Sequence, residues 1–192
     1  MVRISSGRLK GRKVATSKKI FATTDKDELR PTSSKVREAI FNILQIEIAH
    51  ALFLDLYTGT GAVGLEALSR GAEKVFFVEN SPVRAKAVMD YIHKLGLDDR
   101  ASVYQEDAEA FLKRAMRTGL KFDIIFADPP YMSGEIDKVL PNIGEYNILK
   151  EDGCILVEHS SKTALSKNLQ NIKLVKNYKY GDTMITLYRK EQ

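Results

Sequence analysis

Apolar and polar positions alternate between strand-like and helix-like spacing over most of the 192-residue chain. The runs VFFVE and DIIFA are apolar on both faces, which is typical of parallel strands buried between two helix layers. Ser81 followed by Pro82 marks a helix start, and Gly181-Asp182 predicts the turn of a terminal hairpin. The pattern predicts strands at 52–57, 74–79, 102–106, 122–127, 154–158, 173–180 and 183–189, with helices at 62–70, 82–95, 108–117 and 135–149.

This order of elements predicts an α/β fold, a Rossmann-like doubly wound sheet of seven strands that is mostly parallel and ends in an antiparallel C-terminal hairpin. A further helix is predicted before the first of these strands, capped near Thr32 or Ser33 and with apolar residues at helical spacing out to Ile48. We divide the chain into an N-terminal extension at 1–22 and a main domain at 23–192.

Positive charge is concentrated at the start of the chain. Residues 1–37 contain eleven lysines and arginines against three acidic residues, a balance of +8, and the total of +5 leaves −3 for the rest. Basic and apolar positions alternate around Gly7 and Gly11, which predicts a small β-hairpin with a basic face. Such a segment favours a polyanionic partner, because phosphate contacts supply sequence-independent affinity; a solubilising tail is the alternative. The candidate nucleic-acid contacts are Arg3, Arg8, Lys10, Arg12, Lys13 and Arg30.

The sequence argues against several classes of protein and site. The opening stretch MVRISSGRLKGRKV lacks the apolar run of a secretory signal, and polar residues interrupt the most apolar window, 39–57, so no membrane span is expected. The single Cys154 lies in an apolar run, which favours a buried thiol in a reducing compartment and a cytoplasmic protein. His50, His93 and His159 are scattered without metal-ligand spacing, so we predict no metal site. We expect a monomer, since no long apolar stripe marks the surface.

The stretch LYTGTGAVGLEAL has three glycines at the spacing G-x-G-x-x-G, which is typical of a nucleotide-binding turn between a strand and a helix. Ligands of a doubly wound sheet lie beyond the carboxyl ends of the strands, where Asp55, Glu79 and Asp107 also fall. Glu79 could accept hydrogen bonds from ribose hydroxyls, and an adenine ring could rest near Asp107. NAD and S-adenosylmethionine both contain adenosine, so this motif leaves the choice of cofactor open. Gly64 has a second interpretation, which is close packing of the helix on the sheet.

The stretch FDIIFADPPY, at 122–131, decides between the two cofactors. Consecutive prolines directly after a buried strand fix the backbone as it leaves the sheet. Asp128 would then lie at the strand tip and face the cofactor crevice, with Tyr131 three residues further on. An ordinary turn would explain the prolines, but neither the carboxylate nor the tyrosine.

Asp128-Pro129-Pro130-Tyr131 resembles the signature of S-adenosylmethionine-dependent methyltransferases that modify exocyclic amino groups of nucleobases. With RISSGRLKGR at 3–12, LRPTSSKVREAIFN at 29–42 and DLYTGTG at 55–61, the chain resembles the bacterial 16S rRNA guanine-N2 methyltransferase family over essentially its whole length. The resemblance implies a class I methyltransferase fold. It also implies methylation of a guanine N2 in 16S rRNA, within the small ribosomal subunit or an assembly intermediate.

This resemblance implies roles for individual residues. Asp128 and the Pro129 carbonyl would accept the two amino hydrogens, Pro130 would help to hold them rigid, and Tyr131 would stack on the base. The implied binding residues for S-adenosyl-L-methionine are Asp55, Tyr57, Gly59, Gly61, Glu79, Asn80, Asp107 and Ala108.

Three alternatives stay open. The same motif serves methylation of adenine N6 or cytosine N4 in RNA or DNA, although 192 residues leave no room for a sizeable sequence-recognition region. An NAD-dependent oxidoreductase explains the glycines but gives the proline-containing stretch and the basic segment no purpose. A non-catalytic RNA-binding module predicts no cofactor affinity at all.

Overall fold

The computed structural model describes residues 3–14, 32–130 and 134–191. Within these ranges the chain forms a single sheet flanked by helices, and no helix there is long and apolar enough to cross a membrane. The helices are α1 (Ser34–Ile43), α2 (Ala62–Ser69), α3 (Pro82–Lys94), α4 (Ala108–Thr118) and α5 (Glu135–Glu145). The strands are β1 (Leu52–Asp55), β2 (Lys74–Val78), β3 (Ala101–Tyr104), β4 (Phe122–Ala127), β5 (Leu149–Ser160), β6 (Asn168–Leu169), β7 (Ile172–Tyr180) and β8 (Thr183–Lys190).

The strands lie in the order β3-β2-β1-β4-β5-β8-β7-β6, with the first five parallel and the last three joined antiparallel. This confirms the predicted Rossmann-like doubly wound α/β sheet with its antiparallel C-terminal hairpin. The sheet has eight strands rather than seven, because the short β6 pairs with β7 at one edge. The strand order reverses direction between β1 and β4, so the crevice at the carboxyl ends of these strands is the expected ligand position.

Each parallel strand buries side chains on both faces of the sheet. Phe53, Phe77 and Phe126 face the layer that contains α1, α2, α3 and the N-terminal segment. Their neighbours in sequence, among them Leu54 and Ile125, face the layer that contains α4 and α5. The uninterrupted apolar runs of the sequence follow from this two-sided burial.

Three predicted element boundaries are wrong. The first helix ends at Ile43 instead of continuing to Ile48, and the intervening residues form turns from which Leu44 and Ile48 still reach the core. Helix α5 ends at Glu145, and β5 begins at Leu149 rather than at residue 154. Strand β5 begins before residue 154 because Leu149 pairs with Phe122, beyond a register irregularity in the β4–β5 ladder.

Residues 3–14 fold back on themselves as a small hairpin-like loop that is closed by a bridge between Arg3 and Lys13. This loop is docked on α2, where the buried Glu66 carboxylate accepts hydrogen bonds from the Ser5 amide (2.7 Å), the Ser5 hydroxyl (2.7 Å) and the Ser6 amide (3.0 Å). The described part of the extension therefore belongs to the helix layer. The boundary predicted between 22 and 23 lies outside the described residues and stays a prediction.

Candidate active site at the carboxyl ends of the parallel strands

The glycine loop connects β1 to α2 at the reversal point of the sheet. Gly59 and Gly61 have φ angles of +53° and +74°, in the left-handed region that a side chain rarely tolerates. The loop is closed by a hydrogen bond from the Gly61 amide to the Thr58 carbonyl (2.8 Å). Helix α2 begins directly after Gly61, so its first free amide groups lie at the crevice.

The third glycine of the motif serves packing. A Cβ atom on Gly64 would lie 2.2 Å from Cε1 of Phe77, a fully buried residue of β2. This confirms the second interpretation of Gly64, in which α2 approaches the sheet more closely than any side chain would allow. A bound phosphate is not needed to explain it.

The last residue of β1, Asp55, is buried beneath the start of α2. Its Oδ2 atom accepts a hydrogen bond from the Gly64 amide (3.0 Å), and its side chain is 1% exposed. Burial raises the pKa of Asp55 to about 7; the Gly64 hydrogen bond opposes this rise, and the nearby charge of Glu79 adds to it. The site thus holds a carboxylate whose negative charge is poorly solvated and which favours a cationic neighbour.

Glu79 follows β2 and lies against the glycine loop, as the sequence predicted. Its Oε2 atom accepts a hydrogen bond from the Gly59 amide (2.9 Å). Its Oε1 atom accepts from the Ser81 amide (2.9 Å) and from Arg84, which forms a salt bridge of 2.8 Å with it. Asn80 is exposed, and its Oδ1 atom also accepts from Arg84 (3.4 Å). Glu79 is therefore fixed in orientation, with its charge balanced by a neighbouring guanidinium.

The remaining predicted cofactor residues line the opposite side of the crevice. The half-buried Tyr57 donates a hydrogen bond from its hydroxyl to Glu135 at the start of α5 (3.3 Å). Burial, then Glu135, and then Asp107 raise the pKa of Tyr57. Asp107 caps α4 by accepting from the Ala110 amide (2.8 Å), and Ala108 is the buried first residue of that helix. Tyr57 and Asp107 are thus brought close together.

Asp128 directly follows β4 and is partly exposed at the crevice. Its Oδ2 atom accepts a hydrogen bond from the hydroxyl of Thr32 (3.3 Å), just before α1. Ala127 pairs with Val157, so Asp128 lies beside Glu158 on the neighbouring strand β5. Burial, and next the charge of Glu158, raise the pKa of Asp128 well above its ordinary value.

Thr32 and Glu158 are therefore site residues that the sequence analysis did not single out. The sequence predicts a helix cap at Thr32 or Ser33, and the cap is Ser33, whose hydroxyl accepts from the Val36 amide. Glu158 ends the strand predicted at 154–158, just as Glu79 ends the strand predicted at 74–79, and this shared position is a signal in the sequence that marks Glu158.

The two prolines after Asp128 differ in environment: Pro129 is buried and Pro130 is exposed. Tyr131 lies outside the described residues, and so does Arg30 of the basic set. The roles predicted for these two residues stay predictions.

The other predicted nucleic-acid contacts are exposed on the outer surface of the helix layer. The amides of Arg8 and Leu9 donate to the carbonyl and hydroxyl of Ser69, at the end of α2 that lies away from the glycine loop. The hydroxyl of Tyr91 on α3 donates to the Lys13 carbonyl. The docked loop thus presents its basic side chains on the helix layer and outside the crevice. The exposed side chains are those of Arg3, Arg8, Lys10, Arg12 and Lys13.

Two other groups near the site have structural roles. His159 is buried, and its ring nitrogens bond to the Ser160 carbonyl (3.0 Å) and to the Thr186 hydroxyl (2.7 Å), while burial lowers its pKa. Cys154 is a buried free thiol, as predicted, and its burial raises its pKa. In the described ranges of the chain, no cluster of histidine, cysteine and acidic side chains could hold a metal ion.

The chain matches known proteins over its whole length. The family model described as "Conserved hypothetical protein 95" matches residues 2–189. YlbH of Bacillus subtilis is 36% identical over 98% of this chain and 99% of its own length. "Ribosomal RNA small subunit methyltransferase D" of Escherichia coli is 30% identical over 99% of this chain and 90% of its own length. The solved structure of yhhF from Escherichia coli is similar with a TM-score of 0.84 and 30% identity, covering 99% of this chain and 98% of that one. The protein therefore belongs to the conserved hypothetical protein 95 family.

Proposed function

We propose that this protein is an S-adenosylmethionine-dependent methyltransferase that modifies the exocyclic N2 amino group of a guanine in 16S rRNA. Membership of the family supports rRNA methylation, since the Escherichia coli relative is named as a methyltransferase of small-subunit ribosomal RNA. The observation that carries the choice of an amino group is Asp128, a carboxylate at the crevice followed by two prolines.

The crevice fits the chemistry of S-adenosylmethionine better than that of NAD. A pyrophosphate would require the free amides at the start of a helix, and would avoid a neighbouring carboxylate. In this protein Asp55 already accepts from the Gly64 amide in the first turn of α2. Its buried negative charge instead favours the ammonium and sulfonium groups of S-adenosylmethionine.

We assign the remaining cofactor contacts by the hydrogen-bonding capacity of each residue. Glu79 is acceptor-only and lies against the glycine loop, which suits ribose hydroxyls, with Asn80 beside it. Asp107 and Ala108 at the start of α4 would contact the adenine, whereas Tyr57, Gly59 and Gly61 would enclose the methionine end. When bound, the cofactor supplies a methyl group on a positively charged sulfur.

The chain's own residues would prepare the amino group for transfer. An aromatic amine is a weak nucleophile because its lone pair is delocalised into the ring. Asp128 and the Pro129 carbonyl would accept its two hydrogens and favour a tetrahedral nitrogen, and Thr32 holds one oxygen of Asp128 in place. Preorganised acceptors of this kind stabilise the positive charge that develops on the nitrogen.

We further propose that the docked basic loop contacts rRNA phosphates through Arg3, Arg8, Lys10, Arg12 and Lys13, with Arg30 added from the loop before α1. The rRNA would be presented in the small subunit or an assembly intermediate, to a monomer of this protein in the cytoplasm. Phosphate contacts of this kind would weaken steeply with salt.

Methyl transfer to defined RNA tests the function. Purified protein is incubated with labelled S-adenosylmethionine and with rRNA or small subunits from cells that lack it, and the nucleosides are identified by mass spectrometry. We expect N2-methylguanosine. Methylated adenine N6 or cytosine N4 would refute the guanine assignment alone, and absence of transfer to any rRNA substrate would refute the function itself.

A further inference from the structure

A groove of about 550 Å³ runs between α1 and the β7–β8 hairpin, and the proposed reaction makes no use of it. One wall is the face of α1 that carries Lys35, Glu38 and Asn42. The other wall is formed by Tyr178 and Tyr180 of β7, both half-buried. Two aromatic rings therefore face, across an open channel, a helix surface that is partly polar and partly apolar.

Strand register places this groove on the same face of the sheet as the candidate active site. Tyr178 pairs with Ile185, and Ile185 pairs with Glu158, which lies beside Asp128. Three strand spacings of ~4.8 Å separate β4 from β7, so Tyr178 lies roughly 14 Å along the sheet from Asp128. That distance is within reach of the nucleotides that flank a base inserted at Asp128.

Helix α1 lines the groove, and the residue Thr32 just before it contacts the crevice. Thr32, which bonds to Asp128, precedes Lys35 by less than one helical turn. The groove thus begins where the crevice ends, and an RNA strand that leaves the crevice over α1 would enter the groove directly.

The charge of the hairpin is unevenly compensated. Lys35 and Lys176 form no ion pair with any residue in the described ranges, and the Lys176 ammonium lies 4.9 Å from the ring centroid of Tyr178. Glu38 is the acidic residue among those that line the groove. Three other basic residues of the hairpin are paired: Lys173 with Glu191, Arg189 with Glu47, and Lys190 with Glu151.

We propose that this groove binds the single-stranded RNA next to the target nucleotide, with a base stacked on Tyr178 or Tyr180 and phosphates held by Lys35 and Lys176. Aromatic faces interleaved with unpaired positive charge are the usual means of binding single strands without reading sequence. A protein partner is disfavoured, because Lys35, Glu38 and Asn42 bring charged and polar groups into a wall that a protein interface would make apolar at its centre. The inference rests on the proposed function, since it takes rRNA as the substrate.

Removal of the aromatic faces provides the first test. The double variant Tyr178→Leu/Tyr180→Leu keeps apolar side chains against the core, whereas Tyr178→Phe/Tyr180→Phe keeps the rings. Stacking contributes ~1–3 kcal/mol per base, so we expect the leucine variant to raise KM for rRNA by about fivefold or more, with little change in kcat. The phenylalanine variant should stay within about twofold of the wild type, and S-adenosylhomocysteine affinity should be unchanged in both.

A charge variant keeps the inference testable should the leucine variant fold poorly. Lys35 is exposed, so Lys35→Gln leaves the core intact. Loss of one phosphate contact should reduce the slope of log affinity against log salt by about 0.7 for a single-stranded oligoribonucleotide. Lys121→Gln, at the amino end of β4 and so at the end of the strand away from the crevice, is the matched control and should leave the slope unchanged.

The outcomes separate this inference from the proposed function. If the wild-type protein is active and the leucine, phenylalanine and Lys35→Gln variants all bind RNA as it does, the groove assignment alone is overturned. Variants that lose activity on assembled subunits yet bind naked RNA normally would also overturn it, in favour of a ribosomal-protein contact. Wild-type protein without activity on any rRNA substrate would overturn the function itself.

Discussion

Replacement of Asp55 by asparagine should stabilise the protein while weakening its cofactor binding. The Asp55 carboxyl is buried and ionises with a pKa of about 7 in the folded protein, against about 3.8 for the same group in an unfolded chain. Asparagine has nearly the same shape, and its side-chain oxygen can still accept the hydrogen bond from Gly64. The substitution therefore removes the ionisation and little else.

The size of the effect follows from the difference between the two pKa values. The folded state holds the Asp55 proton more tightly than the unfolded state does. This difference stabilises the folded protein in full below the unfolded pKa of Asp55, and the stabilisation is lost as the pH rises through the folded pKa. The loss amounts to about 4 kcal/mol in all, at 1.36 kcal/mol for each pKa unit. Roughly 3 kcal/mol of this loss falls between pH 5 and pH 8. The free energy of unfolding of the asparagine variant, relative to that of the wild type, should therefore rise by roughly 3 kcal/mol over the same interval.

Urea unfolding of both proteins at pH 5 and pH 8, without cofactor, measures this difference. A change of roughly 3 kcal/mol moves the midpoint by about 1 M or more at typical slopes. Asp90→Asn, on the exposed surface of α3, is the control and should show little pH dependence of its own. If the advantage of Asp55→Asn were equal at both pH values, or negative at pH 8, the burial argument for Asp55 would be wrong.

Other substitutions test separate parts of the site. Asp128→Asn should lower single-turnover methyl transfer by about 100-fold or more while keeping S-adenosylhomocysteine affinity within a few-fold, as measured by calorimetry; an unchanged rate would contradict its role. Glu158→Gln should lower the pKa of Asp128 by removing a repelling charge, so the rise of kcat with pH should move to lower pH. Gly64→Ala should cost about 1–3 kcal/mol in urea unfolding, because its Cβ would overlap the Phe77 ring, and Phe77→Leu should relieve part of that cost in a double-mutant cycle.

The sequence could predict the fold and half of the site because both depend on local patterns. Two-sided apolar runs specify parallel strands, and the carboxyl ends of parallel strands share one edge, so Asp55, Glu79 and Asp128 had to converge there. The end of α1 was not predictable by periodicity, since Leu44 and Ile48 reach the core from turns at the positions that a longer helix would use.

The environment of Asp128 could not be predicted in the same way. Its contact with Thr32 joins residues that are 96 positions apart, and depends on how α1 lies over the sheet. Its proximity to Glu158 depends on the register between β4 and β5, which contains an irregularity near Phe122 that no sequence pattern marks. Contacts of this kind depend on tertiary placement, and they decide the electrostatics of the site.

These electrostatics explain why the basic side chains lie outside the crevice. Burial, then the charge of Glu158, and more weakly that of Asp55, raise the pKa of Asp128, so several carboxylates gather at the centre of the site, where Arg84 balances the charge of Glu79. Such a cluster attracts a cationic methyl donor and stabilises positive charge on an attacking nitrogen, but it repels phosphates. In the proposed function, the docked basic loop and the α1–hairpin groove would therefore hold the RNA backbone at the periphery, while only an uncharged base would enter. The negative crevice and the basic surface around it thus both favour a flipped-out base as the substrate.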